Sequence, residues 1–498
     1  MPLLRNLILV PVTAATLLST TMLGTTVLGV GAVPAQAATA ASTSASTAST
    51  ATSTASTAST ASTASPCPRP SGAVGCTPAQ WPPHLLAKTS KTNQIRQIVQ
   101  CGSRMYAVGT FQLILGRNPR TGKFIIYHRS NAFSFEATRP YAVTSWNPNA
   151  NGQVNSIAVG SNCTTAYLGG NFSQVHGKTR HNVAAVDTAG GAVRTGFEGD
   201  ASGAVETLLL HGGRLLTGGY FTKINGAAAR YFAGLSPTTG KPDAYLRLDI
   251  SGNYSYPGVV SNATRVYNQQ ISPDGGRLLV EGDFTSVAGQ SRQQIFMISL
   301  DKDRARLTGW TSPEFDAHCW TTEPFYIRAA AWGPTGTAIY LADTGYQPDG
   351  NSQQARSGLC DSVSRFPVTQ ASVSHFWVNY TGCDSLYSVA AGYGTLYVGG
   401  HERWADNSDG CDNQGAGGVS AQGLGGFVEN TGALLTENDG KGLYVRSRGL
   451  GADDLLLTSA GLWIASDNQT GLDAKGKPYT STMCGGASGH AGLCFLPR

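Results

Sequence analysis

Apolar positions along the chain recur as a short strand pattern that ends in glycine, one further residue and phenylalanine. Four clear copies read MYAVGTF, YLGGNF, LLTGGYF and LLVEGDF, and their phenylalanines are Phe111, Phe172, Phe221 and Phe284. Three weaker copies follow, AIYLADTGY around Asp343, LYVGGHERW around Gly400 and GLWIASDN around Ser466. The seven copies are about sixty residues apart, which predicts a repeat protein.

Each copy is flanked by further apolar runs. One run lies upstream, as in VNSIAVG or SLYSVAAG, and most copies have another downstream that ends in a turn such as NPRTGK, VDTAGG, SPTTGK or ENTGAL. Glycine supplies the positive φ of hairpin turns, so the unit is predicted to contain about four short strands. We find no sustained 3.6-residue period and expect almost no helix.

A four-stranded unit repeated seven times predicts the fold class, an all-β β-propeller of about seven four-stranded, disulfide-bonded blades. Closure of the ring protects the strand edges of the terminal units. A β-solenoid is the alternative, although its repeats are usually shorter, and a kelch-type propeller would also show double glycines near this period.

The segments YLGGNFSQVHG (167–177) and LTGGYFTKING (216–226) resemble the delta-60 repeat β-propellers of secreted bacterial proteins. GGHERWADN (399–407), TGCDS (381–385) and GLWIASD (461–467) resemble the C-terminal half of actinobacterial members. The resemblance covers about residues 90–498 and implies a propeller fold and secretion. It implies no catalytic residue, because the family has no established activity. The fifth and seventh copies depart from the family's glycine doublet.

The N-terminal region is predicted to direct export. Residues 1–37 carry Arg5, an apolar stretch and the small-x-small site Ala35-Gln36-Ala37, which together predict a secretion signal peptide. An uncleaved anchor is the alternative, and it would tie the protein to the membrane. Residues 38–66 are almost entirely Ala, Ser and Thr and predict a disordered stalk, which O-glycosylation would suit. Residues 67–93 form an N-terminal extension and residues 94–498 the propeller.

The amino-acid composition limits the classes of partner that the protein is expected to bind. Only 13% of the 498 residues are charged, the net charge is +5, and no run of five Lys or Arg occurs. Nucleic-acid binding needs a basic patch or stripe, so we expect no nucleic-acid partner. We expect an extracellular monomer, secreted or associated with the cell surface, whose partner is an extracellular glycan or protein.

The ten cysteines are even in number, which in an exported chain argues for disulfides. Zinc is the alternative, but the chain contains no C-x-x-C pair. Cys319–Cys360 and Cys383–Cys411 would each link equivalent loops of one blade. Cys67–Cys76 and Cys484–Cys494 would be local clips, and Cys101 and Cys163 occupy matching turns of neighbouring blades on the opposite face.

Long insertions mark one face of the predicted propeller. They follow the strand motif at 345–360, 401–418 and 467–491, and they separate blades at 251–265 and 312–324. In a propeller the second-to-third loop shares a face with the inter-blade connection, so these insertions should meet. Long loops on a rigid scaffold are where binding usually resides.

Several residues in these insertions are candidate ligand-binding groups. His401, Glu402, Arg403 and Trp404 would form a polar cluster with a stacking ring for sugars; alternatively, Trp404 packs the loop and Arg403 pairs with a carboxylate. The segment is not a zincin motif, which needs a second histidine where Ala405 stands. Aromatic and imidazole groups between blades are further candidates: His318, Trp320, Tyr254 and Tyr256.

Carboxylates suggest two other chemistries. Asp406, Asp409, Asp412 and Asn413 form an oxygen-rich, glycine-containing loop that could hold calcium, although its spacing is not that of an EF-hand. Calcium is the one cofactor considered, and the metal is otherwise unknown. Asp343 and Asp467 follow matching strands and would flank the axis as an acid–base pair, unless both are solvated strand ends.

The function expected is therefore non-catalytic binding or scaffolding, through the long-loop face, of a cell-wall polysaccharide or a protein partner. The alternative is a secreted propeller enzyme, either a glycan hydrolase or lyase or a metal-dependent oxidase. A purely structural component of the cell envelope is the third hypothesis. No catalytic residue is assigned.

Overall fold

A computed structural model describes residues 67, 69–86, 93–253, 263–316, 319, 325–345, 358–369, 371–411, 413–444, 451–468, 470–472, 478–480, 484 and 491–498. The predicted signal peptide and stalk lie outside these residues. Within them the chain is all β apart from one 3₁₀ turn, Pro313–Asp316. The described part of the chain contains no helix that is both long and apolar enough to cross a bilayer.

Seven antiparallel sheets within the described residues share one plan, in which the first two strands form a hairpin and the third pairs with the second. Sheets one to three consist of β2 (Asn93–Cys101), β3 (Arg104–Thr110) and β6 (Ala132–Glu136); β7 (Gln153–Val159), β8 (Thr165–Asn171) and β11 (Val183–Asp187); and β12 (Val205–His211), β13 (Arg214–Gly219) and β16 (Phe232–Leu235).

Sheets four to seven continue the series. They consist of β18 (Arg265–Ile271), β19 (Arg277–Asp283), β22 (Ile295–Leu300) and β23 (Ala305–Leu307); β24 (Phe325–Trp332), β25 (Ala338–Gly345), β26 (Ser362–Pro367) and β27 (Trp377–Tyr380); β28 (Leu386–Gly392), β29 (Thr395–Gly400) and β32 (Leu424–Val428); and β33 (Ala452–Thr458), β34 (Gly461–Asn468) and β37 (Leu493–Pro497).

The expected fourth strand is complete only in sheets four and five of the described chain, where β23 and β27 pair with the third strand. In sheets one, two, three and six the corresponding segment makes a single bridge, for example Leu235 with Pro242. Proline has no backbone N–H to extend a ladder, which explains the short pairing at that position. The four-stranded prediction is therefore correct in part.

Buried cores lie between consecutive sheets and follow a closed circuit. Six clusters join sheets one to seven in chain order. A seventh places Ile98 of sheet one in the same core as Trp463 of sheet seven. β34 also hydrogen-bonds to β2 through Asn93 and Gln94. The last sheet thus packs on the first, as in a β-propeller, and neither terminal sheet leaves its apolar face to solvent.

The glycine motif has a packing cause. A Cβ at Gly109 would collide with the carbonyl oxygen of Gln94 on the adjacent first strand, and Gly170, Gly219 and Gly282 face the same carbonyl in their own sheets. The preceding glycine of a doublet faces the next sheet, so a Cβ at Gly169 would strike Val205. The phenylalanine that follows is buried, as at Phe221. The motif therefore lets neighbouring backbones approach closely.

Short two-stranded hairpins lie within the connections between the second and third strands of the sheets. They are β4 (Leu113–Arg117) with β5 (Phe124–His128), β9 (Gln174–Val175) with β10 (Lys178–Thr179), β14 (Lys223–Ile224) with β15 (Ala227–Ala228), β20 (Ser286–Val287) with β21 (Gln290–Ser291), β30 (Trp404–Ala405) with β31 (Val419–Ser420), and β35 (Thr470–Leu472) with β36 (Pro478–Thr480). β17 (Ile250–Ser251) joins β20, and β1 (His84–Leu85) joins β4.

The N-terminal extension packs across the last two sheets. The backbone N–H of Val74 donates to the Tyr397 hydroxyl at 2.9 Å, and the Tyr444 hydroxyl donates to the Val74 carbonyl at 2.9 Å. The N–H of Ala79 donates to the carbonyl of Phe495. These long-range contacts make the extension part of the folded domain.

All ten cysteines form disulfides, and the pairs are those expected: Cys67–Cys76, Cys101–Cys163, Cys319–Cys360, Cys383–Cys411 and Cys484–Cys494. The Cys319–Cys360 bond joins an inter-sheet connection to a second-to-third connection, which confirms that these two kinds of loop share one face. Cys101–Cys163 ties the first hairpins of sheets one and two together on the opposite face.

Removal of the Cys101–Cys163 bond should cost more stability than removal of Cys67–Cys76, because the bonds span 62 and 9 residues respectively. Loop-closure entropy gives about 4 kcal/mol for the longer loop and about 2.5 kcal/mol for the shorter. Denaturant unfolding of the double serine variants Cys101→Ser/Cys163→Ser and Cys67→Ser/Cys76→Ser measures both losses. A larger loss from the short clip would contradict the entropic explanation.

Candidate functional site

Every first strand carries a β-bulge at the same position, where its register against the second strand shifts by one residue. The bulged residues, which we call the bulge ring, are Arg96, Asn155, Glu206, Tyr267, Arg328, Tyr387 and Asp453. A bulge places one extra residue opposite a single partner and turns its side chain out of the ladder. All seven residues are polar or ionisable.

The bulge-ring side chains meet in the middle of the circuit. Arg96 interacts electrostatically with Asp453 and with Glu206, although Glu206 lies two sheets away from it along the chain. The Asn155 amide donates to Glu206 Oε2 at 2.7 Å. The guanidinium of Arg328 lies 5.3 Å from the centre of the Tyr387 ring. Two cations and two carboxyls thus face each other with neutral polar groups between them.

Sequence analysis missed this ring, although a signal was present. The polar residue stands inside the upstream apolar run of each copy, as in QIRQIV, QVNSIA, AVETLL, RVYNQQ, YIRAAA, LYSVAA and ADDLLL. Aligning these runs on the strand motif would have shown one polar residue per repeat at a fixed position. The motif glycines drew attention to the second strand instead.

Burial sets the protonation of these carboxyls. It raises the pKa of Glu206 to about 7, with Arg265 and Arg96 partly offsetting the increase. It raises the pKa of Asp453 to about 8, where the nearby Asp467 adds to the shift and Arg96 opposes it. Glu206 is 0% and Asp453 4% exposed. Groups this inaccessible are poor candidates for direct contact with a substrate.

Asp343 and Asp467 do not occupy matching positions. Asp343 pairs in register with Ile327, whereas the residue with the equivalent partner in sheet seven is Ser466, opposite Ala452. Asp343 is fully buried beside Glu281 and Asp361, and burial raises its pKa well above the usual range. The expected acid–base pair is therefore wrong, because a one-residue offset in a strand sends the side chain to the other face.

Asp467 lies instead with the bulge ring. Its Oδ1 accepts a hydrogen bond from the backbone N–H of Gly451 at 2.9 Å, and its charge raises the pKa of Asp453. His401 occupies the position equivalent to Asp467 in sheet six, and its imidazole packs edge-on against the Tyr387 ring at 4.9 Å. Burial lowers the pKa of His401, so the ring is neutral at physiological pH.

The remainder of the His401–Trp404 segment is mainly structural. Arg403 Nε donates to both carboxylate oxygens of Asp384, at 2.7 and 3.0 Å, as the alternative interpretation expected. Glu402 is 2% exposed, and burial raises its pKa well above the usual range. Trp404 is half-buried in β30, where it pairs with Ser420. A stacking role for Trp404 stays a prediction.

The other candidates have different outcomes. Tyr254, Tyr256, His318 and Trp320 lie outside the described residues, as does Asp412 of the calcium loop. Asp406 Oδ1 accepts a hydrogen bond from the Asn379 amide at 2.6 Å. Within the described chain, no three His, Cys, Asp or Glu side chains are close enough to share a metal ion.

An uncharged cleft of about 340 Å³ opens on the long-loop face between sheets one and two. Side-chain amides, one hydroxyl and small residues line it: Gln112, Ser130, Asn131, Asn149, Ala150, Asn151, Gln174 and Gly177. They come from the second-to-third connections of both sheets and from the chain that joins the sheets. Sequence analysis missed the cleft, because Asn and Gln in turns look like ordinary loop residues.

Some of these amides hold the cleft in shape and others are free. Asn131 Oδ1 accepts from the N–H of Phe111 at 3.0 Å, and its amide donates to the Ala150 carbonyl at 3.0 Å. Asn151 Oδ1 accepts from the N–H of Gln174 at 2.9 Å. Among the described residues, the exposed side-chain amides of Gln112, Asn149 and Gln174 have no hydrogen-bond partner and remain available to a ligand.

Comparison with known proteins gives structural neighbours only. No family model matches the chain, and no curated protein matches it. A structure of U3-55K is 9% identical with a TM-score of 0.45, over 85% of this chain and 100% of that one. The RRP9 WD40 repeats are 10% identical with a TM-score of 0.44, over 84% of this chain and 98% of that one. Similarity at this level identifies neither a ligand nor an activity.

The buried carboxyls predict an unusual pH dependence of stability. Burial raises the pKa of Glu281 from 4.5 to about 8, although the Asn268 amide donates to Oε2 at 2.9 Å. Between these values the folded protein binds the proton that the unfolded chain has lost. The free energy of unfolding should therefore fall as pH rises from about 4.5 to about 8, by up to about 1.4 kcal/mol per pH unit for this group.

The substitution Glu281→Gln removes this ionisable group. The free energy of unfolding, measured with urea, should then fall less steeply with pH. The exposed Glu437→Gln is the matched control and should keep the wild-type slope. If the free energy of unfolding changed equally with pH in Glu281→Gln and the wild type, the pKa of Glu281 would not differ between the folded and unfolded states.

Proposed function

We propose that this chain is an extracellular, non-catalytic binding propeller of seven blades that holds a neutral cell-wall polysaccharide on its long-loop face. The closed circuit of seven inter-sheet cores supports the blade count. The predicted signal peptide and five disulfides support an oxidising, extracellular setting. Membership of the delta-60 repeat propellers is part of the proposal.

The amide-lined cleft between sheets one and two carries this proposal. Its lining residues include no ionisable group, so the lining itself offers no ion pair to a charged ligand. A side-chain amide has both a donor and an acceptor, which matches the neighbouring hydroxyls of a sugar ring. Three such amides converge on a concave surface that other hydrogen bonds hold in place. A neutral saccharide is the ligand class that fits this pattern best.

The buried carboxyls argue against glycan hydrolysis on the axis. An acid–base pair must reach the glycosidic oxygen and the opposite face of the sugar. Glu206 and Asp453 are buried, and Arg96 interacts with both. Asp343 and Asp467 do not form the required pair. Binding without chemistry is thus favoured over the enzyme hypothesis.

Glycan-array binding with the purified protein tests the proposal. We expect neutral glycans to bind, and the double variant Gln112→Ala/Gln174→Ala to weaken that binding about tenfold, since two hydrogen bonds of about 0.7 kcal/mol each are lost. Charged glycans should gain nothing over neutral ones, because the lining has no charge to attract them.

The matched control is Lys223→Ala, since Lys223 begins β14 as Gln174 begins β9 one sheet earlier. It should leave binding unchanged. Trp404→Ala distinguishes the two saccharide sites, the cleft and the predicted stacking ring. A loss of binding with Trp404→Ala, but not with the glutamine variant, would move the site to sheet six.

A further inference from the structure

We propose that the free edge of strand β5 is a docking site for an extended acidic peptide segment of a partner protein, which adds to the β1–β4–β5 sheet as a fourth strand. This surface is separate from the amide-lined cleft, and the proposal does not depend on the saccharide hypothesis. It rests on the strand edge, its exposed apolar side chains and the charge around it.

Backbone geometry leaves β5 with one edge that pairs with no other strand of the described chain; on it, the His128 carbonyl accepts a hydrogen bond from the Arg129 guanidinium at 2.9 Å. The sheet order is β1–β4–β5, so among the described residues β5 pairs on one side only. The backbone N–H of Asn118 donates to the Lys123 carbonyl, and that of Arg129 donates to the Gln112 carbonyl. In an antiparallel pair every second residue bonds to the partner strand, so these two bonds identify which residues of β5 bond to β4. Positions 123, 125, 127 and 129 therefore face β4. The N–H and C=O groups of Phe124, Ile126 and His128 point away from it.

The side chains of the same three residues are exposed, whereas a protected edge strand has its apolar side chains covered by other parts of the fold. Phe124 is 53% and Ile126 52% exposed, and His128 is also exposed. The intervening Ile125 and Tyr127 face the domain, where Tyr127 packs against the core between sheets seven and one. An exposed apolar edge strand is a template for pairing unless charge or proline blocks it. FIIYH contains no proline, and its flanking charges are all positive.

The charge around the edge selects an acidic partner. No Asp or Glu occurs before Glu136, whereas the same stretch contains ten Lys and Arg. Five of the basic residues around β5 make no ion pair within the described chain: Arg117, Arg120, Lys123, Arg129 and Arg139. Glu136 belongs to β6 and stands opposite Arg104. A second copy of this chain would bring like charges together, which disfavours self-association.

Exposed rings hold some of these cations in place. The guanidinium of Arg117 lies 4.1 Å from the centre of the Trp81 ring and 4.5 Å from that of Phe124. Arg139 lies 5.6 Å from the centre of the Trp81 ring. These contacts hold the Arg117 and Arg139 guanidinium groups near the edge, where they can donate to a carboxylate of an added strand.

A strand fits this surface better than a membrane or a flexible polyanion does. Strand addition draws affinity from main-chain hydrogen bonds and specificity from alternate side chains. The edge offers the backbone groups of Phe124 and Ile126 and the N–H of His128 in register, with exposed apolar side chains on the first two. A lipid surface or a polyanion would use the charge and the rings but would leave these backbone groups without protein partners.

Fluorescence anisotropy with a labelled synthetic peptide of alternating Glu and Val tests the proposal. We expect binding at low ionic strength. Arg120→Glu/Lys123→Glu should weaken it about tenfold through charge, and Phe124→Ser/Ile126→Ser by a similar factor through lost apolar contact. Bound peptide should also slow amide hydrogen exchange at Phe124, Ile126 and His128.

The matched control is Phe376→Ser. Phe376 is 56% exposed and lies under Arg365 at 4.6 Å, so it has the same pairing of ring and guanidinium elsewhere on the molecule. Peptide affinity should not change with this variant. A version of the peptide that is N-methylated on alternate residues lacks the N–H donors along one edge. It cannot form the hydrogen-bond ladder through that edge and should lose most of its binding.

Three results would overturn the proposal. They are equal binding of the N-methylated peptide, equal binding of a polyglutamate without valine, and binding of phosphatidylglycerol vesicles where the peptide does not bind. The first would remove strand addition, the second would reduce the surface to charge alone, and the third would identify it as a lipid-binding surface.

Discussion

Every first strand in the circuit contains one residue that its partner strand cannot pair, and the architecture depends on how that residue is accommodated. The bulged side chain turns towards the middle, and the residue after it turns towards a neighbouring sheet. The Asp454 carboxylate accepts a hydrogen bond from the backbone N–H of Ile98 at 2.8 Å. In the same way, the Gln97 side chain accepts one from the N–H of Ile157 at 2.6 Å, and the Ser156 hydroxyl accepts one from the N–H of Leu208 at 3.0 Å. At these three interfaces a side chain that follows the bulge in one sheet accepts a hydrogen bond from a backbone N–H of the adjacent sheet.

The other interfaces use the same kind of bond with different residues. Gln269 donates to the Leu216 carbonyl, Gln294 to that of Phe325, Thr344 to that of Leu386, and Ser388 to that of Ala452. All seven contacts between consecutive sheets thus combine an apolar core with at least one polar link. Such links are expensive to leave unmade when buried, so they hold the sheets in one register as well as stabilising them.

The parts of this structure that repeat could be predicted from the sequence, because repetition amplifies a weak local signal. Gly109 and its equivalents marked the second strands, and the cysteine positions relative to those strands indicated three of the five bonds; Cys67–Cys76 and Cys484–Cys494 followed from their closeness in sequence. Asp343 and Asp467 failed because a pattern match tolerates an offset of one residue that a β-strand does not. The amide cleft combines turn residues from sheets one and two with the chain between them, and the β4–β5 hairpin has longer strands than the equivalent hairpins, so the glycine motif marked neither feature.

Two opposite uses of charge explain where ligands can act on this molecule. In the middle, Arg96 interacts electrostatically with Glu206 and Asp453, and burial raises the pKa of both carboxyls. All three side chains are buried, so a ligand has little access to their charges. Around β5, Arg120, Lys123 and Arg139 are exposed, and no Asp or Glu precedes Glu136 in the sequence. Because a ligand must reach the groups that it binds, recognition is expected at the exposed amides of the cleft and at the strand edge of β5 rather than at the buried groups on the axis.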